Sequence, residues 1–276
     1  MSTSNGPGLK IDLSSLAGLL LAFGGILGGL LLEGGNIKDV AQVTGAIIVL
    51  GGTLGAVLVT TPTAVLSGAA RKLMYVFFEP VHVPRKLIDE ILVYATRARR
   101  NGIVSLEPDI ESIKDPFLRK ALSLGVDGTD LQELQQMMNL EISADEQRGR
   151  AEAKVYESAG GYAPTVGIIG AVLGLIQVMK HLDQIELVGH GIAVAFVATV
   201  YGVGSANIFF LPAGAKLKAR VEESARMKEL MLEGVSSIVQ GLHPKVIERK
   251  LEAYLNPAMR TSGDKPVKTG IRAEAA

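Results

Sequence analysis

The 276-residue chain has no cysteine, which excludes disulfides, thiolate nucleophiles and thiolate metal sites. Histidine is scarce. His82, His181, His190 and His243 lie far apart without the short spacing of metal ligands, so no metal or cofactor is expected. Only 20% of residues are charged, with 28 Lys+Arg against 28 Asp+Glu, and the mean hydropathy is positive at +0.31. Strand-like alternation is missing, which points to an all-α chain. No nucleophile sits in sequence with a base and an orienting group. "GVGSAN" at Gly202 lacks the third glycine of a dinucleotide fingerprint and follows no strand. An enzyme is therefore not expected, and nothing suggests a nucleic-acid partner.

Asp, Glu, Lys and Arg are absent from four stretches: Leu13–Leu32, Val40–Ala70, Ser158–Met179 and Leu187–Ala215. A bilayer core takes roughly 20 apolar residues as helix, so each stretch is long enough to span one. The first run could instead be a cleaved signal peptide behind Lys10, but it is too long for an h-region and no A-x-A-like site follows. Burial inside a large soluble protein fails because the remaining chain is too small to wrap four such helices. The sequence thus predicts an all-α integral membrane protein with four transmembrane helices and a helical extramembrane domain. Spans one and two fall in 1–70, a helical loop in 71–158, spans three and four in 159–215, and further helices in 216–256. The polar tail 257–276 is expected to be disordered.

The short connectors "EGGNIKD" and "KHLDQIE" hold one lysine each, whereas the other 26 Lys and Arg precede the first span, lie between Gly68 and Ser158, or follow Pro212. The positive-inside rule places both termini and the large loop in the cytoplasm. "VPRKLIDEILVYATRARRNG" carries Leu87, Ile88, Ile91, Leu92 and Ala95 at helical spacing, with Pro84 near its start and Gly102 as a stop. A second helix is expected from a capping box, Thr129 to Gln132, running toward the third span. A third continues the fourth span beyond Pro212.

Lipid supplies no hydrophobic drive for helices to associate, so small residues must let backbones approach. Gly167, Gly170 and Gly174 form such a strip on the third span. Gly24, Gly25, Gly28 and Gly29 form one on the first, and Gly45, Gly51, Gly52 and Gly55 another on the second. Either these pack the four helices of one chain together or some face neighbouring subunits. The spans contain no ionisable carboxylate or base of the kind ion carriers place in the membrane. Their polar residues include Thr53, Thr60, Gln177, Thr199, Tyr201 and Asn207, with His190 near an edge. The chain therefore either moves no ions or supplies half of a path. Pro164 and Pro212, at span ends joined to long charged helices, are either terminators or hinges.

Four spans, the large loop, "YAPTVGIIGAVLGLI" followed by "ATVYG", and "RRNGIVSLEPDIES" together resemble the A subunit of the bacterial flagellar stator, the MotA/PomA family. The resemblance runs from about Ile11 to Leu255. The span motif is shared with the ExbB/TolQ energisers, which typically have three spans; an energiser of envelope transport is the alternative, and a scaffold without ion coupling a further one. Several expectations follow from the resemblance. Arg99 and Glu107 match a charged pair that contacts the rotor switch protein FliG. Pro164 and Pro212 match prolines that couple ion passage to the cytoplasmic domain, and Thr199, Ala171 and Tyr201 lie along the ion path. A one-span, MotB-like B subunit supplies the intramembrane Asp inside a ring of five A subunits in the bacterial inner membrane. Sodium-driven members tend to carry a threonine where this chain has Ala171, which offers no oxygen to a hard cation; H+ is therefore the expected ion rather than Na+.

Overall fold

The structure, a computed structural model, describes residues 9–80 and 84–255; His82 and the tail expected to be disordered lie outside the described residues. A short strand β1 (Leu9–Ile11) leads into helix α1 (Leu13–Leu32). The second span runs as α2 (Ile37–Val40), α3 (Val43–Ala46), a π-helical segment Ile47–Gly51 and α4 (Gly52–Thr60). It is followed by α5 (Thr63–Lys72), α6 (Met74–Phe77) and β2 (Phe78–Pro80). Next come α7 (Pro84–Asn101), a 3-10 turn (Ile103–Leu106), α8 (Glu107–Ile110) and α9 (Pro116–Val126). Helix α10 (Leu131–Lys180) contains the third span, and α11 (Ile185–Gly204) passes through a π-helical segment Ser205–Phe210 into α12 (Leu211–Val239). Helix α13 (Pro244–Glu252) closes the described chain.

The four expected spans are present as helices long and apolar enough to cross a bilayer. Their apolar side chains point outward: Leu21 is 77% exposed, Val59 88% and Phe196 71%, and α1 buries no residue at all. Water would not tolerate such a surface, whereas lipid does. Two local features differ from the sequence reading. The charge-free stretch Val40–Ala70 is not one helix: Thr61 (φ −128°, ψ 129°) is extended before Pro62, so α4 ends at Thr60 and α5 starts anew. The short strands form an antiparallel ribbon, Leu9↔Pro80 and Ile11↔Phe78, too brief for any alternation to show.

The chain divides into two compact units, residues 9–80 with 143–224 and residues 84–142 with 225–255. The second unit has an aliphatic core: Ile88, Ile91 and Ala95 of α7, Phe117, Leu118 and Leu122 of α9, Leu134 and Met138 of α10, Leu230 and Val235 of α12, and Ile247 and Leu251 of α13. Gly234 lets α12 come close to Ile91, where a methyl group would sit 2.8 Å from its Cγ2. Arg85 ties α7 to α13 through Glu248 (3.1 Å) and Glu252 (2.9 Å). Asp115 caps α9 by accepting from the amides of Phe117 and Leu118. The start of α10 is capped by Asp130, which accepts from Gln132 N, rather than by Thr129; the Thr129 amide is already donated to Leu124 O.

The first unit holds the four spans and the polar segments at one of their ends. Its ribbon delivers Asp12 to the N-terminus of α1, where Oδ1 accepts from Ser14 N and Ser15 N at 3.1 Å. Oδ2 pairs with Lys216 and Arg220 of α12, and the Asp12 amide donates to Phe77 O. Burial alone would raise the Asp12 pKa, but hydrogen bonds from Lys216, Ser14 and Ser15 with the Lys216 charge outweigh it, holding the carboxyl well below its ordinary value. A lowered folded-state pKa contributes stability above the unfolded pKa and loses it as pH falls through the folded value. The thermal midpoint of Asp12→Asn is accordingly expected to sit below that of the parent by a constant amount between about pH 5 and 8, converging only in strong acid. Thermal scans across pH check this, and a gap that closes near neutrality would contradict the charge pairing.

Candidate functional site

The third-span glycines belong to a longer seam. On α10, Gly149, Tyr156, Ala163 and Gly170 recur every seven residues, interleaved with Ala153, Gly160, Gly167 and Gly174, and all eight are buried. A seven-residue recurrence is the spacing of a left-handed helix pair, with the side chains here mostly reduced to hydrogen or methyl. The opposing face belongs to α11 and α12. A methyl at Gly174 would lie 2.9 Å from Gly191 O and Ala195 N, and one at Gly167 would lie 3.0 Å from Ala198 O. Farther along, one at Gly160 would strike Leu211 and one at Gly149 Val221. The third-span strip is thus used inside the chain. By contrast, a methyl at Gly24, Gly25, Gly28, Gly29, Gly51 or Gly55 would meet no atom within 4 Å, and these glycines lie open. Gly45 approaches Ala198 and Gly52 meets Val166, seating the second span against the pair.

Neither proline terminates its helix. Pro164 lies inside α10, and Pro212 is the second residue of α12, directly after the π-helical segment. Proline removes one backbone donor and crowds the carbonyl four residues earlier, here that of Gly160 and that of Ile208; a π-helical turn is a common local response to such a defect. Leu211, next to Pro212, packs on Gly160, so the two proline-disturbed turns touch.

Thr199 lies half-buried beside the seam and donates to Ala195 O at 3.2 Å. Ala171 is half-buried next to Gly170. The Tyr201 hydroxyl donates to Val40 O (2.5 Å) and accepts from Gln42 N (3.1 Å), satisfying backbone groups freed by the break between α2 and α3. An unsatisfied amide or carbonyl costs several kcal/mol where lipid excludes water, so this hydroxyl locks the second span to the fourth. Nothing in the residue pattern announces this lock, because the break at Ala41 carries no proline or glycine.

In the second unit, α7 ends at Asn101 and Gly102 turns the chain at φ +83°, so Arg99 and Glu107 flank one turn. Arg99 is exposed and donates to Gly241 O at 3.2 Å. Glu107 opens α8 and makes no ion pair among the described residues, nor does Arg100. It is Arg97 that forms the ion pair of this turn, with Asp109. A shallow depression along the outer face of α7 is lined by Asp89, Val93, Thr96, Arg97 and Arg100. Sequence reading missed this stripe, although residues 89, 93, 96 and 100 have the spacing of one helix face.

Residues 109–230 match the MotA/TolQ/ExbB proton channel family, and residues 16–101 match the motility protein A N-terminal family. A motility protein A of Bacillus subtilis is 37% identical over 246 residues, covering 89% of this chain and 91% of that protein. The chain belongs to the MotA family. Two solved structures share its fold. One is described as the C. jejuni MotAB structure, with a TM-score of 0.85, 31% identity, and 90% of this chain and 97% of that one covered. The other is the flagellar MotAB stator complex of Bacillus subtilis, at 0.81 and 36%, covering 89% and 97%. Like the rest of this family, the chain is a multi-pass membrane protein of the inner membrane, and its family is one of channel and stator subunits rather than of known enzymes. Pro164, Thr199 and Pro212 fall within the channel-family match, Arg99 within the N-terminal match, and Glu107 between the two.

The seam makes a sharp prediction. Gly174→Val places branched carbon against the backbone of α11 and is expected to lower the chain's stability by about 1–3 kcal/mol, the usual scale of overpacking. Gly24→Val has free space within the chain and should leave it nearly unchanged. Thermal denaturation of the detergent-purified chain compares them; equal losses would remove the seam from its organising role.

Proposed function

We propose that this protein is the A subunit of a flagellar stator, which couples ion flow across the inner membrane to torque on the rotor. The observation that carries the reading is the fold's likeness to solved MotAB complexes over nearly the full length of those chains, at identities above 30%. The N-terminal match favours a motility protein over the ExbB/TolQ branch of the channel family. With 26 of 28 Lys and Arg on one side of the four spans, both termini and the second unit are cytoplasmic.

In this reading a one-span B subunit inserts its intramembrane carboxylate beside Thr199 and Ala171, since the charge-free stretches of the spans supply no Asp, Glu, Lys or Arg of their own. Several A subunits, five in the family pattern, surround it, and the open glycines of α1 and α4 give neighbouring helices room for close approach. The ion is H+, supported by alanine at position 171. Protonation of the partner's carboxylate removes a charge from a low-dielectric interior and favours a different packing of the helices around it. The chain's contribution is the seam, in which small side chains let α10 shift against α11 and α12 without driving large groups past one another. Arg99 and Glu107, with the exposed face of α7, then meet opposite charges on the rotor switch protein, where charge complementarity governs encounter and register more than strength. The work of the protein is mechanical, with no catalytic chemistry assigned.

Deletion of the gene is expected to leave flagellar filaments intact on cells that do not swim, with swimming restored by the wild-type gene. Collapse of swimming by a protonophore, but not by removal of sodium, would support H+, and the reverse would assign Na+. Arg99→Glu is expected to reduce torque about tenfold or more while the protein remains at normal levels in membranes. Loss of the protein from membranes would instead make Arg99 a folding residue.

A further inference from the structure

Two buried carboxylates stand outside the seam, the ion path and the rotor face. Asp12 is only 6% exposed and Glu152 only 5%. Asp12 takes both Lys216 and Arg220, which lie one and two turns beyond Pro212 on α12. Glu152, three turns before Pro164 on α10, pairs with Lys72 Nζ at 2.6 Å. Gly68 of α5 lies directly against the Glu152 carboxylate, leaving no room for a methyl group, and one turn farther on Tyr156 donates to Ala69 O at 2.9 Å. Each proline-bearing helix is thus fastened, on the polar side of its proline, to the end of a different element: α12 to the start of α1, and α10 to α5 beyond the second span.

Exposed ion pairs constrain little, because water competes for both partners. A carboxylate withdrawn from water has no such alternative, and separating it from its cations leaves an uncompensated charge. Such contacts resist opening. We propose that Asp12 and Glu152 are positioning residues, Asp12 clasping the turns of α12 that follow Pro212 to the polar end of the first span and Glu152 clasping the turns of α10 that precede Pro164 to α5, which follows the second span. Each proline then bends a helix whose two sides belong to one body, and displacement of the spans is carried past the prolines instead of being absorbed at them. The clasps stand on the contacts alone; their part in torque rests on the stator reading above.

The test uses the full chain with its B partner in lipid nanodiscs, and hydrogen exchange as a readout independent of motility. Asn caps a helix about as well as Asp, so Asp12→Asn keeps the cap on Ser14 and Ser15 but gives up the charge. Amides of α12 around 213–220 are expected to exchange about tenfold faster in this variant, with the first turn of α1 unchanged. Glu152→Gln should do the same for α5, and Asp12→Glu should restore protection in α12. In a deletion strain, Asp12→Asn is expected to cut swimming speed by about half or more while membrane levels hold. If Asp12→Asn fails to accumulate, Lys216→Gln combined with Arg220→Gln removes the clasp from the other side and is judged by the same α12 amides. Unchanged exchange in α12 and α5 would overturn the clasps. Faster exchange with normal swimming would overturn their role in torque. If the wild-type gene itself fails to restore swimming, the stator reading falls and the exchange data alone decide whether the clasps exist.

Discussion

Everything in the first unit depends on how closely two helices approach where neither water nor a hydrophobic drive is available to hold them. Inside a bilayer, leucine gains nothing by leaving lipid for protein, so contact must come from dense packing at short range. The chain meets this with a face that has almost no side chains. Gly167, Gly170 and Gly174 bring α10 to within van der Waals distance of the backbone at Gly191, Ala195 and Ala198. Tyr201 adds long-range hydrogen bonds to this region, satisfying both backbone groups at the break in the second span. The outward apolar side chains, Leu21 and Phe196 among them, take part in none of this and are left for lipid or neighbouring subunits.

The same seam continues past the prolines, and there its chemistry changes. Beyond Pro164 and Pro212 the spans give way to charged helices, yet Gly149, Ala153 and Gly160 keep the seven-residue recurrence and Val221, Gly214 and Leu211 answer it. Small residues still set the distance, but water can now reach the flanks. Among the described residues, the buried ion pairs of Asp12 and Glu152 stand at this level and not within the spans. That division follows from dielectric: a charge pair near the polar end of a span keeps part of its hydration, whereas one at the bilayer centre would not.

Sequence reading recovered the four spans, the all-helical character, the ends of α7 and the third-span strip because each leaves a local signature: a charge-free run, an apolar period, a proline, a glycine triplet. It missed what depends on distant partners. Nothing in the sequence singles out Asp12, and only the fold brings Arg220 to it across 208 residues of chain, with Lys216 beside it. Tyr201 looks like a polar residue available to an ion, but its hydroxyl is committed to Val40 and Gln42. The seam was legible in part, since the eye stops at the end of the apolar run and Ala153 and Tyr156 sit among Glu and Lys. At the turn after α7, the sequence could not say which arginine pairs internally; the structure assigns that role to Arg97 with Asp109 and leaves Arg99 on a carbonyl.

The hydroxyls and amides of the spans supply the last step. Thr60 donates to Ala56 O, Thr199 to Ala195 O, Ser205 to Gly202 O and Asn207 to Val203 O, each bonded back to its own helix. Thr53, wholly buried, finds no hydrogen-bond partner among the described residues, and the Tyr201 hydroxyl bonds instead to the second span. A hydroxyl already donating to a carbonyl can still accept a hydrogen bond, but at neutral pH it neither takes up nor releases a proton. These hydroxyls and amides can thus orient water and position a titrating group without titrating themselves. In the stator reading proposed above, a one-span partner supplies that group, and this chain's share is to turn a change in its charge into a change in how α10 lies against α11 and α12. A seam of small residues suits that conversion, because its contacts are numerous and individually weak, so two packings can differ by little energy while both stay dense.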